Sequence, residues 1–454
     1  MNSSSTAEER GTVETSDVIV IGAGFAGLTA ARELSRSGHR TILLEAKDRI
    51  AGRTHLAEHL GRDLELGGTW VHWTQPFVWA AMGRYGIKAL PGPEFTQASW
   101  TVNGQRHQGT AESLLELLDG PNRMLLAAAR RYFPLPWSPL DNPDVADIDE
   151  LTLSEAIDRL DLPEDQRQLL RSFWTLNFNG KLDQAAYSQA LRWCAVASGD
   201  WKLMFEACAS FKIDGGTRRL AEAILADSTA ELRLNQVVCS IKQDDKGVLV
   251  TTVAGKQYTA RQLILALPLS VLNHIDIQPP LSRGKKEAAA RGQAGLGAKL
   301  WIRVQGRQER FVAFGPETAA LNFVQAEYID HDTTTLVCFG PDAGAVDLTD
   351  AAAAQRHLDA IVPGLKVLDV AGHDWVADEY ARSTWPMHYT GYLTRSLAEL
   401  QRPEGRIRLA GSDFANGWGG FIDGAIESGF DAAREAASAL GNDARSPFQA
   451  PVVV

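Results

Sequence analysis

Residues 16–49, SDVIVIGAGFAGLTAARELSRSGHRTILLEAKDR, have the pattern of a strand, a glycine-rich turn, a helix and a second strand. The run VIVI is typical of a parallel strand that is covered on both faces. Gly22, Gly24 and Gly27 follow it at GxGxxG spacing, and the second strand ends near Glu45. In such a unit the glycines form a tight turn, admit a pyrophosphate and let helix and strand pack, while the acid binds a ribose diol. The stretch therefore predicts a dinucleotide-binding unit, with NAD and FAD both open.

Composition and charge are those of an ordinary globular protein. The 454 residues are 45% hydrophobic and 22% charged, and the length favours two or three domains over one. A formal net charge of -11 provides no basic surface for nucleic acid. The four cysteines are far apart and form no CxxC pair. This pattern indicates reduced thiols, and we expect neither a disulfide framework nor a metal site.

The N-terminal residues and the hydropathy pattern lead to an expected location. Residues 1–16 are polar and contain no apolar segment like that of a signal peptide, so we expect a disordered lead. We find no stretch with the roughly 18 to 20 apolar residues that span a bilayer. We therefore expect a cytoplasmic protein without nucleic acid or a membrane as a partner. A homodimer is one assembly that the sequence allows.

Helical and β-rich segments interrupt the nucleotide-binding unit. Leucine, alanine and arginine recur at helical spacing from about 110 to 210, whereas residues 231–268 alternate as in a β-meander. We predict a mixed α/β fold with a Rossmann-like domain built from discontinuous segments, and a substrate domain with a helical insertion and a β-sheet. The nucleotide-binding domain is predicted over 17–89, 211–285 and 386–454. The substrate-binding domain is predicted over 90–210 and 286–385.

Eight motifs occur in order along nearly the whole chain. They are VIGAGFAGLTAARELSRSG, LLEAKDRIAGRT, LELGGTWVH, IDGGTRRLAEAI, LNQVVCSI, LILALPLSVL, GLGAKLWIRV and LAGSDFANGWGGFIDGAIESG. Together they resemble the flavin-containing amine oxidase family, to which monoamine oxidase belongs. The segments GGTWVHWTQP and ARSTW are most similar to the soluble bacterial branch that includes nicotine oxidoreductase.

The resemblance implies FAD as the cofactor. It implies that Val238 pairs with adenine through its backbone, that Asp413 lies near the ribityl chain and pyrophosphate, and that Ile422 offers a backbone N–H to the flavin pyrimidine at a helix start. The implied cofactor-binding set is Gly22, Gly24, Phe25, Ala26, Gly27, Glu45, Ala46, Arg53, Gly67, Gly68, Thr69, Trp70, Val238, Gly411, Ser412, Asp413, Gly420, Phe421 and Ile422. Ala51 replaces a usual glycine of the family, for which we expect a small local adjustment. Because ARSTWPM contains no cysteine, the resemblance implies that FAD is bound non-covalently.

The resemblance also implies three catalytic residues. Lys299 matches the family lysine that a water bridges to flavin N5 and that assists reoxidation. Trp385 and Phe421 match the two rings of an aromatic cage over the flavin, whereas Trp418 is expected to pack in the core. The implied reaction transfers a hydride equivalent from the amine α-carbon to N5, and water hydrolyses the resulting imine. O2 then reoxidises the flavin and is reduced to H2O2, or a protein electron acceptor replaces O2. The substrate that the resemblance implies is an aromatic or cyclic, nicotine-like amine.

Three other functions stay open. An L-amino acid oxidase needs an arginine for the substrate carboxylate, and Arg192 is the candidate. A polyamine oxidase needs carboxylates for distal ammonium groups. A binding protein like the GDP-dissociation inhibitors would keep the fold without flavin. The candidates for the pocket wall in the helical insertion are Trp174, Asn177, Asn179 and Trp201.

Overall fold

A computed structural model describes residues 13–444. Its strands are β1 (Glu14–Thr15), β2 (Val18–Ile21), β3 (Thr41–Leu44), β4 (Leu56–His59), β5 (Arg62–Glu65), β6 (Trp70–Val71), β7 (Ala89–Pro91), β8 (Gln97–Val102), β9 (Gln105–Thr110), β10 (Phe211–Ile213), β11 (Glu231–Arg233), β12 (Val238–Gln243), β13 (Val248–Thr252), β14 (Gln257–Ala260), β15 (Gln262–Leu265), β16 (Asp276–Gln278), β17 (Ala298–Gln305), β18 (Phe311–Phe314), β19 (Phe323–Ile329), β20 (Thr333–Gly340), β21 (Val367–Gly372) and β22 (Ile407–Leu409). Mixed with the helices, these strands form the α/β fold that the sequence predicts.

The helices in the same part of the chain include several in the predicted helical insertion. They are α1 (Phe25–Arg36), α2 (Pro76–Arg84), α3 (Ala111–Leu126), α4 (Ala129–Tyr132), α5 (Ala146–Asp149), α6 (Leu153–Asp158), α7 (Glu164–Phe178), α8 (Tyr187–Val196), α9 (Trp201–Ala209), α10 (Gly216–Ala226), α11 (Arg283–Arg291), α12 (Ala351–Asp359), α13 (Ala398–Gln401) and α14 (Ile422–Ala444). Within residues 13–444, no helix combines the length and apolarity that crossing a membrane requires.

A parallel sheet has the strand order β11-β3-β2-β15-β22. Strands β2, β3 and β15 are buried throughout, as expected for β-branched and leucine-rich strands that are covered on both faces. Helices α1 and α14 cover one face, and on the other Ile19 and Ile21 share a hydrophobic core with residues of β12, β13 and β14. Helices α1 and α14 cross closely at Gly429. A methyl group added there would lie only 2.4 Å from the carbonyl oxygen of Ala26, so the crossing requires glycine. The sheet therefore joins segments that are far apart in sequence, and the exact domain boundaries stay predictions.

A second sheet has seven strands in the order β21-β17-β20-β19-β18-β8-β9. Its pairs are antiparallel except for β18 with β8. In this register Lys299 lies opposite Phe339, and Phe339 lies opposite Phe323. Since side chains alternate between faces along a strand, these three side chains share one face of the sheet.

The predicted β-meander is present. The predicted disordered lead, residues 1–16, differs from the structure at its C-terminal end, where β1 forms. Strands β12, β13 and β14 pair antiparallel in sequence order, and β1 adds to β14 in parallel. The N–H of Ser16 donates to the carbonyl oxygen of Thr259 at 2.9 Å. The exposed sheet edge orders this polar segment, which composition alone cannot indicate. Residues 1–12 of the predicted lead lie outside the described residues.

Candidate active site

A cavity of about 480 Å3 lies between the parallel sheet and the seven-stranded sheet. Most residues that the sequence analysis singles out line it. They are Gly22, Gly24, Phe25, Ala26, Glu45, Ala46, Arg53, Gly67, Gly68, Thr69, Trp70, Val238, Lys299, Trp385, Gly411, Ser412, Gly420, Phe421 and Ile422. Residues from both ends of the chain thus meet around one space.

The glycine turn after β2 forms one end of the cavity. Gly22 has a φ of 100°, and a methyl group there would lie 2.4 Å from the carbonyl oxygen of Ala266. A methyl group at Gly27 would lie 1.8 Å from the carbonyl oxygen of Gly22, so Gly27 lets α1 pack on the turn and does not line the cavity. Gly24 precedes α1 without a side-chain cap. The helix start therefore offers backbone N–H groups and a positive dipole end to an anion such as pyrophosphate.

Glu45 lies at the same end, where β3 runs into the cavity wall. Its carboxylate accepts hydrogen bonds from the N–H of Ala23 at 2.7 Å and of Lys47 at 2.9 Å. Burial raises the pKa of Glu45, and the two backbone hydrogen bonds oppose that shift. A carboxylate has about four acceptor positions, so two hydrogen bonds leave capacity for a ribose diol.

Ala51 shows how the chain accommodates its departure from the family glycine. Its φ is 79°, and its N–H donates to the carbonyl oxygen of Ala23 at 2.8 Å. The backbone thus keeps a left-handed conformation, which costs a residue with a β-carbon about 1–2 kcal/mol. Ala51 therefore adopts a strained backbone conformation that glycine would adopt without this cost.

Arg53 is held by a buried acid. Its guanidinium pairs with Asp413 and donates to the carbonyl oxygen of Thr384 at 3.1 Å and to Ser412 Oγ at 3.3 Å. Asp413 also accepts a hydrogen bond from the side chain of Gln293 at 3.1 Å. Asp413 does not line the cavity. Its carboxylate orients Arg53, which does line the cavity, and the position of Asp413 beside the cofactor stays a prediction.

Lys299 enters the other end of the cavity from β17. Its ammonium donates to the carbonyl oxygen of Gly67 at 2.8 Å and to Thr69 Oγ1 at 2.7 Å, and it lies 5.0 Å from the ring centre of Trp70. An ammonium has three donors, so one is left for a group in the cavity. Burial lowers the pKa of Lys299 to about 7, against the attraction of Glu65. The lysine can therefore change charge near neutral pH.

Trp385 and Phe421 form aromatic wall segments that other groups hold in place. Trp385 Nε1 donates to the carbonyl oxygen of Asn177 at 3.2 Å. The Phe421 ring makes edge contacts with Trp193 and Trp418, each at 5.1 Å between ring centres. Trp418 is fully buried, does not line the cavity and donates to a backbone carbonyl, in keeping with a packing role.

Several wall residues were missed by sequence reasoning. They include Trp193, Phe205, Phe323, Gln325 and Phe339. Phe323 and Gln325 alternate on β19, so a strand pattern could have placed them on one face. That pattern does not indicate which face borders the cavity, because the answer depends on pairing with β20.

The four pocket candidates from the helical insertion divide evenly. Asn177 and Asn179 line the cavity, whereas Trp174 and Trp201 do not. The two tryptophans pack in the core, and their indole N–H groups donate at 3.0 Å to Asn122 and Asp119, respectively. The Asn179 amide is buried, and neither its oxygen nor its nitrogen has a partner in the described chain. A buried amide without partners is costly, which suits a site completed by a polar ligand group.

The loop between β22 and α14 is held from two sides. Arg192 donates to the carbonyl oxygens of Ala415 at 3.0 Å and Asn416 at 3.1 Å, while Glu427 accepts from the N–H groups of Asn416 at 2.9 Å and Gly417 at 3.0 Å. Arg192 does not line the cavity. The candidate carboxylate clamp is therefore wrong, because loop carbonyls occupy this guanidinium.

Comparisons with known proteins agree with the motifs. The family model for flavin containing amine oxidoreductases matches residues 25–437. The chain is 37% identical to pseudooxynicotine dehydrogenase from Pseudomonas sp., over 93% of this chain and 86% of the relative. It is 30% identical to (S)-6-hydroxynicotine oxidase from Paenarthrobacter nicotinovorans, over 91% of this chain and 97% of the relative.

Solved structures match the fold at lower sequence identity. Putrescine oxidase bound to putrescine matches with a TM-score of 0.81 and 22% identity, over 95% of this chain and all of the other. Cyclohexylamine oxidase from Brevibacterium oxydans matches with a TM-score of 0.77 and 20% identity, over 94% of this chain and 99% of the other. The path of the chain around the cavity is thus that of known amine oxidases.

Proposed function

This chain belongs to the family of flavin-containing amine oxidoreductases, and we propose that it uses non-covalent FAD to oxidise an aromatic or cyclic, nicotine-like amine. One observation carries the proposal: Lys299, Trp385 and Phe421 line the same cavity as the dinucleotide-binding turn. When bound, FAD would supply the two-electron acceptor for a hydride equivalent from the amine α-carbon. The imine product would then be hydrolysed by water.

The residues at the glycine end fit a dinucleotide. The turn at Gly22 and Gly24 and the uncapped start of α1 would receive the pyrophosphate, and Glu45 would accept hydrogen bonds from the ribose. Arg53, oriented by Asp413, adds a positive charge to the same wall. Non-covalent attachment rests on the sequence between residues 381 and 387, which lacks a cysteine.

The residues at the lysine end fit an amine. Only the neutral amine has the lone pair that assists loss of a hydride, and apolar rings disfavour the ammonium form by desolvation. Trp385 and Phe421 provide such rings on the cavity wall, beside Phe323 and Phe339. We assign to Lys299 the ordering of a water at the reacting edge, because two of its donors are already fixed by Gly67 and Thr69.

The wall chemistry disfavours the competing substrates. The carboxylates that line the cavity among the described residues are Glu45 and Glu379. Glu45 lies at the dinucleotide end, and Tyr380, the neighbour of Glu379, is close enough to Glu45 to interact with it electrostatically. Among the described residues, a polyamine would therefore meet no cavity-lining carboxylate near Lys299, because Glu65 and Glu327, whose charges act on Lys299, do not line the cavity. An amino acid would also lack Arg192 as a clamp for its carboxylate.

The test is the visible spectrum of the purified protein, followed by anaerobic addition of amines. We expect flavin absorbance, a yellow supernatant after acid precipitation, and bleaching by nicotine, pseudooxynicotine or 6-hydroxynicotine but not by putrescine or L-amino acids. Colourless protein after reconstitution with FAD would contradict the cofactor. Bleaching by amino acids or putrescine alone would contradict the substrate class.

The electron acceptor is tested separately. We propose O2 as the acceptor, with H2O2 as the product, and a protein electron acceptor is the alternative. After anaerobic reduction, admission of O2 should restore the flavin spectrum within the turnover time. Reoxidation much slower than turnover with an artificial one-electron acceptor would favour the protein acceptor. The homodimer and the cytoplasmic location stay predictions.

A further inference from the structure

Gln325 is a polar residue in a largely aromatic part of the cavity wall. It lies on β19 two residues after Phe323, which shares its face because strand side chains alternate. Its amide contacts Glu327, at a point where the register of β19 against β20 shifts. Gln325 is 5% exposed and lines the cavity together with Phe323. The function proposed above gives it no role.

A buried ion pair lies behind Gln325. The ammonium of Lys212, on β10, pairs with the carboxylate of Glu327, which is 2% exposed. Lys212 also donates to Tyr328 Oη at 3.1 Å and lies 4.4 Å from the centre of its ring. Burial lowers the pKa of Lys212, but Glu327 and Tyr328 outweigh it, so the net shift is upward. Lys212 thus stays charged, and its ammonium is directed at the Glu327 side chain.

The ion pair fixes the orientation of the Gln325 amide. The Nε2 group of Gln325 donates to Glu327 Oε2. An ionised carboxylate only accepts hydrogen bonds, so the amide cannot turn its oxygen toward Glu327 without losing this bond and setting two oxygens together. No residue in 13–444 donates a hydrogen bond to Gln325 Oε1. The amide is therefore held with its oxygen available to the cavity.

The sheet register places this oxygen relative to Lys299. Lys299 and Phe323 lie in one row of the sheet, on either side of Phe339. Gln325 is two residues further along β19, which corresponds to about 7 Å along the strand. Gln325 thus lies about the width of one aromatic ring beyond the row that contains Lys299.

We propose that Gln325 Oε1 accepts a hydrogen bond from an N–H or O–H group of the substrate, remote from the amine that is oxidised. Gln325 is then a specificity-determining residue, and Glu327 and Lys212 are positioning residues that act through it. The preferred substrate is an amine whose ring carries a hydrogen-bond donor. This inference rests on the amine-oxidising function proposed above.

The test compares two ring systems in matched variants. 6-Hydroxynicotine presents a donor on its ring, whereas the pyridine nitrogen of nicotine only accepts. The measured quantities are kcat/KM for each compound and the FAD content of each protein. The variants are Gln325→Met, Glu327→Gln and, as a control, Gln305→Met at an exposed end of β17.

Wild type is expected to prefer 6-hydroxynicotine, and Gln325→Met should lower kcat/KM for that compound by about 10- to 100-fold, because a buried partner is left unpaired. The value for nicotine should change by less than about threefold, and the FAD content should be unchanged. Glu327→Gln, which can donate as well as accept, should release the amide and give an intermediate loss of preference. The Gln305→Met control should behave as wild type.

Equal losses for both compounds in the FAD-loaded Gln325→Met protein would overturn the inference, since a general structural effect would explain them. An unchanged preference would overturn it as well. If Gln325→Met does not fold, the preference of Glu327→Gln decides by the same criterion. If none of nicotine, pseudooxynicotine and 6-hydroxynicotine reduces the wild-type flavin, the proposed substrate class fails and this inference falls with it. Reduction by pseudooxynicotine alone would overturn this inference only.

Discussion

The two ends of the cavity are shaped by different means. At the dinucleotide end the wall is largely backbone: glycines, a helix start and the ends of parallel strands. At the amine end the wall is made of side chains that project from paired antiparallel strands, from α7 and α8, and from the loops that carry Trp385 and Phe421. A backbone-built site needs particular residues at fixed local spacing, whereas a site of side chains depends on register between distant segments.

Gly27→Ala should have the largest effect on FAD binding and stability, because its methyl group would clash with the backbone of the glycine turn. The added methyl group would lie 1.8 Å from the carbonyl oxygen of Gly22, where only backbone movement can relieve it. We expect loss of FAD binding and a large fall in the melting temperature, both measured on purified protein. Gly83→Ala is the matched control, since no atom lies within 4 Å of its added methyl group in α2. A Gly27→Ala protein that retains FAD would contradict backbone control of this end.

Lys299→Met tests the residue at the amine end to which we assign the ordering of a water at the reacting edge. Loss of a positioned proton-bearing group costs about 10²- to 10⁴-fold in rate, so flavin reduction and reoxidation should slow by that order. Stopped-flow absorbance measures both half-reactions, and FAD content should not change. Lys181→Met, at an exposed lysine outside the cavity, is the control. Unchanged half-reactions would remove the proposed role of Lys299.

Asp413→Asn tests a side chain that acts at the backbone-built end. Breaking a buried ion pair by changing one partner costs about 3 kcal/mol, which here would appear in FAD affinity as well as stability. We expect FAD to dissociate about 100-fold more readily, while the substrate preference of the loaded enzyme is retained. Equilibrium dialysis of FAD against the variant measures this. Normal FAD affinity would show that Arg53 needs no orienting partner.

Trp385→Leu should have a smaller effect that is confined to the amine end. Aromatic contacts contribute about 0.5–1.5 kcal/mol beyond their buried area, so kcat/KM for an aromatic amine should fall about tenfold. FAD content and the flavin spectrum without substrate should be retained. Trp73→Leu serves as the control, because this ring is 55% exposed and does not line the cavity. An equal effect in both variants would contradict a wall role for Trp385.

Ala51→Gly should have the smallest effect and the opposite sign. Glycine adopts the φ of 79° without the strain of a β-carbon, although its unfolded chain loses more entropy on folding. We expect the free energy of unfolding to rise by about 1 kcal/mol, measured by chemical denaturation. A decrease would indicate that the left-handed conformation is not strained here.

These contrasts explain what the sequence could predict. The GxGxxG spacing and the acid after the second strand carry local geometric requirements, and Gly22, Gly24 and Glu45, which were inferred from them, line the cavity. The family resemblance was needed for the glycine-rich run before α14, including Phe421, and for Lys299 and Trp385, because a lysine or a ring on a strand or loop has no fixed partner in sequence. The mixed α/β fold followed from local periodicity alone.

The errors share one physical cause. Arg192 was a candidate clamp, yet it binds loop carbonyls. Trp174 and Trp201 were pocket candidates, yet they pack in the core. In each case long-range packing decides which side of an element meets the cavity, and residue type does not encode that choice. Gln325 was not predicted as a wall residue for the same reason.

The central claim is that the glycine turn and the lysine end border one flavin. A crystal structure of the protein with FAD bound tests it most directly. The claim predicts the pyrophosphate at the start of α1 and the ring system with its N5 edge toward Lys299, within reach of Trp385 and Phe421. Electron density for the ring system away from Lys299, or no FAD in the cavity after reconstitution, would contradict it.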